Sequence, residues 1–63
     1  MTQKELSYVE DAIEHENNII KIMNHEINHI EDDRVISFIE EEINIHSSLK
    51  EKLLNLLKEK INE

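Results

Sequence analysis

Apolar residues recur at intervals of three and four along the first half of the chain. These positions are Leu6, Val9, Ile13, Ile20, Met23, Ile27 and Ile30. The spacing matches one face of an α-helix. Thr2-Gln3-Lys4-Glu5 has the form of a capping box, in which a hydroxyl and a carboxylate each bond a backbone amide at the start of a helix. The pattern predicts a first helix over about residues 3–31.

The second half of the chain repeats this spacing in a different phase. Its apolar positions are Ile36, Ile39, Ile43, Leu49, Leu53, Leu56, Leu57 and Ile61. Glu31-Asp32-Asp33-Arg34 separates the halves, and Asp32 or Asp33 suits the N-cap of a second helix. The centre of the apolar face shifts by roughly 110° between the halves, so one straight helix of about 60 residues would carry two unaligned patches. We therefore predict a turn at about residues 32–33 and a second helix over about 34–62.

These two helices predict an all-α fold, an antiparallel helical hairpin that forms a single domain over residues 1–63. The chain has neither Gly nor Pro, which is consistent with uninterrupted helices. It is too short to bury a large core alone, and without cysteine it has no disulfide to compensate. A broad apolar face would remain open on each hairpin. We therefore expect a homodimer in which two hairpins pack into a four-helix bundle.

The charge of the chain narrows the range of partners. Fifteen acidic residues against seven basic ones give a formal net charge of −8, which disfavours nucleic acid as a partner. The acidic outer surface suits a basic protein partner instead. No apolar run is long enough to cross a membrane, and no secretory leader is evident, so a cytoplasmic protein without membrane contact is expected.

Three polar residues interrupt the apolar faces. Glu16 lies within the first, and Glu42 and His46 lie one turn apart within the second. A dimer would bring four carboxylates and two imidazoles into the bundle, where each unpaired charge costs several kcal/mol. Two divalent cations would balance the four carboxylates, and this mixture of oxygen and nitrogen ligands suits iron, manganese or zinc.

Glu16, Glu42 and His46 also carry a resemblance to the ferritin-like di-iron carboxylate bundles, including hairpins that dimerise, and to small spore-coat-type helical proteins. That family places one Glu on a first helix and a Glu-x-x-His on a second. Here the second motif is Glu42-x-x-x-His46, one residue longer. The resemblance covers nearly the whole chain and implies a metal site between subunits, with Glu16 and Glu42 as carboxylate ligands and His46 as the nitrogen ligand. It also implies metal binding or a modest redox function.

A second interpretation needs no metal. Polar residues within a bundle often fix its register and oligomeric state, and Glu16 with His46 would then be a hydrogen-bonded pair in a structural or regulatory interaction module. His25 and His29 stand four residues apart and would be able to chelate an ion at the surface, although a solvated face accounts for them and for His15. No serine has a histidine and an acid arranged around it in a recognisable motif, so the sequence favours a protein without catalytic activity.

Overall fold

The chain forms an antiparallel hairpin of two long helices in a computed structural model that describes residues 1–61. Helix α1 spans Gln3–Glu26, a 3-10 turn follows at Ile27–His29, and helix α2 spans Asp33–Ile61. The hairpin is elongated, with principal extents of 47 × 14 × 11 Å. The helices lie against each other along their length, which confirms the all-helical hairpin. The predicted end of α2 at residue 62 lies outside the described residues.

The start of α1 is the predicted capping box. The Glu5 backbone N–H donates to Thr2 Oγ1 at 3.1 Å, and the Thr2 backbone N–H donates to Glu5 Oε1 at 2.8 Å. The hydrogen bond from the Thr2 backbone, followed by the one with its side chain, lowers the pKa of the exposed Glu5 carboxyl from its usual 4.5. These bonds satisfy backbone donors that the first helical turn leaves without intrahelical partners.

The connection between the helices is longer than the predicted turn at residues 32–33, because it begins at Ile27 and ends before Asp33. The α-helix ends at Glu26 rather than near residue 31, and its last turn tightens into the 3-10 turn. Ile30 is extended, and Asp32 then caps α2, because its Oδ1 accepts the Arg34 backbone N–H at 2.9 Å. Of the two acids predicted as possible N-caps, Asp32 and Asp33, it is Asp32 that caps α2. A single continuous helix is excluded.

The contact between α1 and α2 leaves every residue of 1–60 at least partly exposed. The half-buried residues face the other helix, and they include most of the predicted apolar positions. Leu49 and Leu56 are an exception, since both were predicted to lie in the apolar seam and both are exposed. One hairpin alone therefore has no enclosed core, which is the weakness expected of so short a chain.

The two halves of the hairpin repeat each other. Every half-buried position of α1 has a half-buried counterpart in α2, offset by the same 30 residues that separate Glu16 from His46. The residues also match where the helices begin, as Leu6-Ser7-Tyr8-Val9-Glu10 corresponds to Ile36-Ser37-Phe38-Ile39-Glu40. The heptad spacing alone does not reveal this repeat. The repeat gives the hairpin an approximate two-fold symmetry, with the axis near its mid-length.

Neither α1 nor α2, over the part of each that the structure describes, is both long and apolar enough to cross a membrane.

Candidate functional site

Glu16 and His46 meet at the mid-length of the hairpin. They occupy equivalent positions in the repeat, so the approximate two-fold axis brings them opposite each other. His46 Nδ1 lies 2.5 Å from Glu16 Oε2, and their side chains are 27% and 12% exposed. The two atoms are within hydrogen-bonding distance, with the imidazole Nδ1–H as donor and the carboxylate oxygen as acceptor. It is the hydrogen-bonded pair that the second interpretation of the sequence predicted.

Glu42 completes a cluster of three. It lies one turn before His46 on α2, and its Oε2 is 3.9 Å from His46 Nε2, which is too long for a direct hydrogen bond. Its side chain is 35% exposed, more than that of Glu16. The hairpin therefore brings together all three residues singled out from the sequence, with His46 between the two carboxylates. We call Glu16, Glu42 and His46 the central cluster.

The central cluster can exist in two hydrogen-bonding states. When the ring is neutral and donates from Nδ1 to Glu16, Nε2 keeps its lone pair and faces Glu42 as an acceptor. When the ring is protonated, both nitrogens are donors, and Nε2 can reach Glu42 after a small adjustment. The first state suits a cation or water at Nε2, and the second neutralises one carboxylate charge.

The arrangement assigns Glu16 a different role from the one expected in a metal site. A histidine that binds a metal through one nitrogen commonly donates from the other to a carboxylate, which fixes the ring. Glu16 holds Nδ1 of His46 in this way, so only Nε2 and Glu42 remain for an ion. Within residues 1–61, no group of three or more His, Asp or Glu side chains is placed to hold a metal ion in one chain. The intersubunit site of iron, manganese or zinc stays a prediction.

The hairpin also exposes many large apolar side chains, among them Phe38 at 61%, Tyr8 at 60% and Ile22 at 60%. An α-helix advances about 100° per residue, so the direction of each side chain around the helix axis follows from its number. Measured from the mean direction of the half-buried residues, the exposed apolar side chains of α1 are rotated by about 105° on average. The exposed apolar side chains of α2 are rotated by about 85° in the same sense. Because the helices are antiparallel, equal senses place both sets on the same side of the hairpin. We call this the apolar face: Tyr8, Ile19, Ile22, Val35, Phe38, Ile45, Leu49 and Leu56.

The central cluster borders the apolar face. By the same geometry, Glu42 is rotated from the inward direction of α2 toward that face by about 55°, and Glu16 is rotated toward it on α1 by about 20°. The opposite side of the hairpin is polar, with Glu10, Asn17, Lys21, Glu40 and Ser47 exposed there. Any molecule that covers the apolar face would therefore also cover Glu42.

A second group of chemically active residues lies where α1 ends. The rings of His25 and His29 are 5.1 Å apart between centroids, and His25 Nδ1 lies 3.2 Å from Glu26 Oε1. All three residues are exposed. The two histidines are four residues apart, and with Glu26 between them His25-Glu26-Ile27-Asn28-His29 reads H-E-x-x-H, a motif associated with zinc on helices. This motif is the sequence feature that could have predicted a metal site at the end of α1.

Comparisons with known proteins add no identification. No family model matches the chain, and no curated protein or solved structure matches it significantly.

Proposed function

We propose that the protein is a non-catalytic interaction module that works as a homodimer, in which the apolar face of one hairpin covers the apolar face of another. The observation that carries this proposal is the exposure of eight large apolar side chains on one side of the molecule. Contiguous exposed apolar surface of this kind marks association sites in soluble proteins. A second copy is the occupant we favour because two such faces are complementary in chemistry and length, and an isologous contact closes on itself.

The size of the face agrees with this proposal. The hairpin is 47 Å long, and two adjacent helices with their side chains are about 20 Å wide. A face of that length and width has a projected area of about 900 Å², and stable interfaces bury about 800 Å² per partner. Association would also enclose the half-buried residues between α1 and α2. The dimer would thereby acquire the core that one hairpin lacks.

The distribution of charge agrees as well. The net charge of −8 on each chain makes two copies repel, but most acidic residues lie on the polar side and outer surfaces, where water and salt screen them. Those surfaces stay exposed in the dimer. They give it an acidic exterior, suited to a basic protein partner and unsuited to nucleic acid.

The mass of the protein in solution tests the dimer. We expect twice the 7.5 kDa mass of one chain, measured by sedimentation equilibrium on untagged protein at micromolar concentration. Added salt should not dissociate the dimer, because apolar burial and not charge pairing would hold it, and salt also screens the repulsion between the two acidic chains. A helical, folded monomer across the accessible concentration range would reject the proposal.

The resemblance to ferritin-like bundles supports a second candidate, a metal site shared by two chains. The observation that favours it is the position of the central cluster at mid-length beside the apolar face. Whether the two hairpins dock parallel or antiparallel, the central cluster of one would lie against the central cluster of the other. Two copies would offer His46 Nε2 and Glu42 twice, a donor set that suits iron, manganese or zinc, with Glu16 orienting each ring. A bound metal of this kind would supply Lewis acidity or electron transfer.

Metal content distinguishes the two candidates. If the shared site exists, gently purified untagged protein should carry about one iron, manganese or zinc per dimer, since the two chains supply the donors of a single site. Glu42→Gln should abolish that content, because the amide replaces an anionic ligand. Glu41→Gln, its exposed neighbour, is the matched control and should retain it. A metal-free dimer after incubation with iron and zinc would leave the interaction module alone.

A further inference from the structure

We propose that His25 and His29 form a separate two-histidine chelate for a divalent transition metal of the zinc class, at the C-terminal end of α1. The central cluster takes no part in it, and a second copy of the chain supplies no ligand to it. The two rings come from the last turn of α1 and from the 3-10 turn that follows, so the site links α1 to the connection.

The separation of the two rings fits one bound metal. A zinc–nitrogen bond of about 2.0 Å places a ring centre roughly 3.2 Å from the metal, so two rings at a tetrahedral angle have centres about 5.2 Å apart. The observed separation is 5.1 Å, with the ring planes inclined by 53°. Both side chains are exposed, so neither protein packing nor a buried hydrogen bond prevents the rings from turning toward an ion. Water would fill the remaining coordination positions.

Glu26 prepares His25 for this role. Its Oε1 lies 3.2 Å from His25 Nδ1, and a proton on Nδ1 donated to that carboxylate leaves the Nε2 lone pair free. Carboxylate partners of this kind orient metal-binding histidines and raise their basicity. In zinc hydrolases with the H-E-x-x-H spacing, the glutamate acts as a general base. Here Glu26 contacts the histidine ring itself, so it is a positioning residue for metal binding.

Metal binding would stabilise the connection between the helices. His29 ends the 3-10 turn, and Ile30 is the first extended residue after it. An ion bound by both rings would hold these residues in the folded arrangement and bind the unfolded chain poorly. The melting temperature should therefore rise with metal concentration, by mass action.

Titration with zinc alone tests the chelate. The experiment uses untagged full-length protein and competition with a chromogenic zinc indicator. We expect about one zinc per chain, with affinity reduced at least tenfold by His25→Ala or His29→Ala. Glu26→Gln should weaken binding roughly tenfold, the lower end of the effect of such carboxylate partners. His15→Ala is the matched control, because it removes an exposed histidine of the same helix and should leave the affinity unchanged.

Two results would overturn the proposal. One is the absence of zinc binding, with no zinc-dependent rise in the melting temperature of the native protein. The other is binding that His29→Ala leaves intact while Glu42→Gln removes it, which would assign the zinc to the central cluster. Because His25 and His29 are exposed, their alanine variants should keep the circular dichroism spectrum of the native protein. A loss of binding would then report the ligands and not the fold.

Discussion

Ile45→Glu is expected to dissociate the homodimer and leave a largely unfolded chain. Ile45 is 52% exposed in one hairpin and lies in the middle of the apolar face. In the proposed dimer the substitution would bury two unpaired carboxylates and remove two apolar contacts. Each uncompensated buried charge costs several kcal/mol, so association should weaken on the order of a thousandfold or more. Sedimentation equilibrium would measure the dissociation constant, and circular dichroism would follow the helix content.

Asn44→Glu provides the control for this variant. It adds the same charge one residue away, on the solvated side of α2, where Asn44 is exposed. We expect it to remain a dimer with native helix content. An Ile45→Glu protein that stays dimeric at the same concentration would show that the apolar face is not the interface, and the interaction-module proposal would fail with it.

The hairpin was predictable because its determinants are local. The capping box, the three-four spacing of apolar residues and the acidic N-cap of α2 each act within a few residues. The depth of burial was less predictable. Leu49 and Leu56 belong to an apolar surface of α2 that is wider than its contact with α1. The spacing of apolar residues does not show which of them contact α1 and which remain exposed. Lys50 is half-buried at the equivalent of Ile20, since its aliphatic stem can pack while its ammonium reaches water.

The central cluster shows the same limit. The sequence placed Glu16, Glu42 and His46 on inward faces correctly, because helical periodicity fixes the face. It left two partners open for His46, a metal ion or Glu16, since contact between residues 30 apart depends on the length of the connection. That connection is a 3-10 turn and a short extended segment, which no pattern in the sequence predicted. The structure shows the pairing with Glu16, and it also shows that Glu16 contacts Nδ1 of His46 while Glu42 lies nearer Nε2.

His46→Leu is expected to destabilise the dimer, whereas the double substitution Glu16→Leu with His46→Leu should restore or exceed native stability. Removing only the imidazole leaves the Glu16 carboxylate, 12% exposed, without its partner. Breaking such a pair from one side costs about 3 kcal/mol, whereas replacing both partners by apolar residues is neutral or stabilising by about 1–4 kcal/mol. Urea denaturation at fixed protein concentration would measure the free energy of unfolding, and an unchanged m-value would show that the native state stays compact.

The double variant also addresses why a polar pair lies inside an apolar seam. If Glu16 and His46 fix how the hairpins align, an all-apolar seam should tolerate several alignments and form a mixture of oligomers. Native mass spectrometry would detect that mixture beside the single species of the native protein. If His46→Leu and the double variant are equally stable, an unpaired Glu16 carboxylate does not account for the destabilisation of the single variant. A double variant less stable than His46→Leu would instead show that Glu16 stabilises the fold without His46 as its partner.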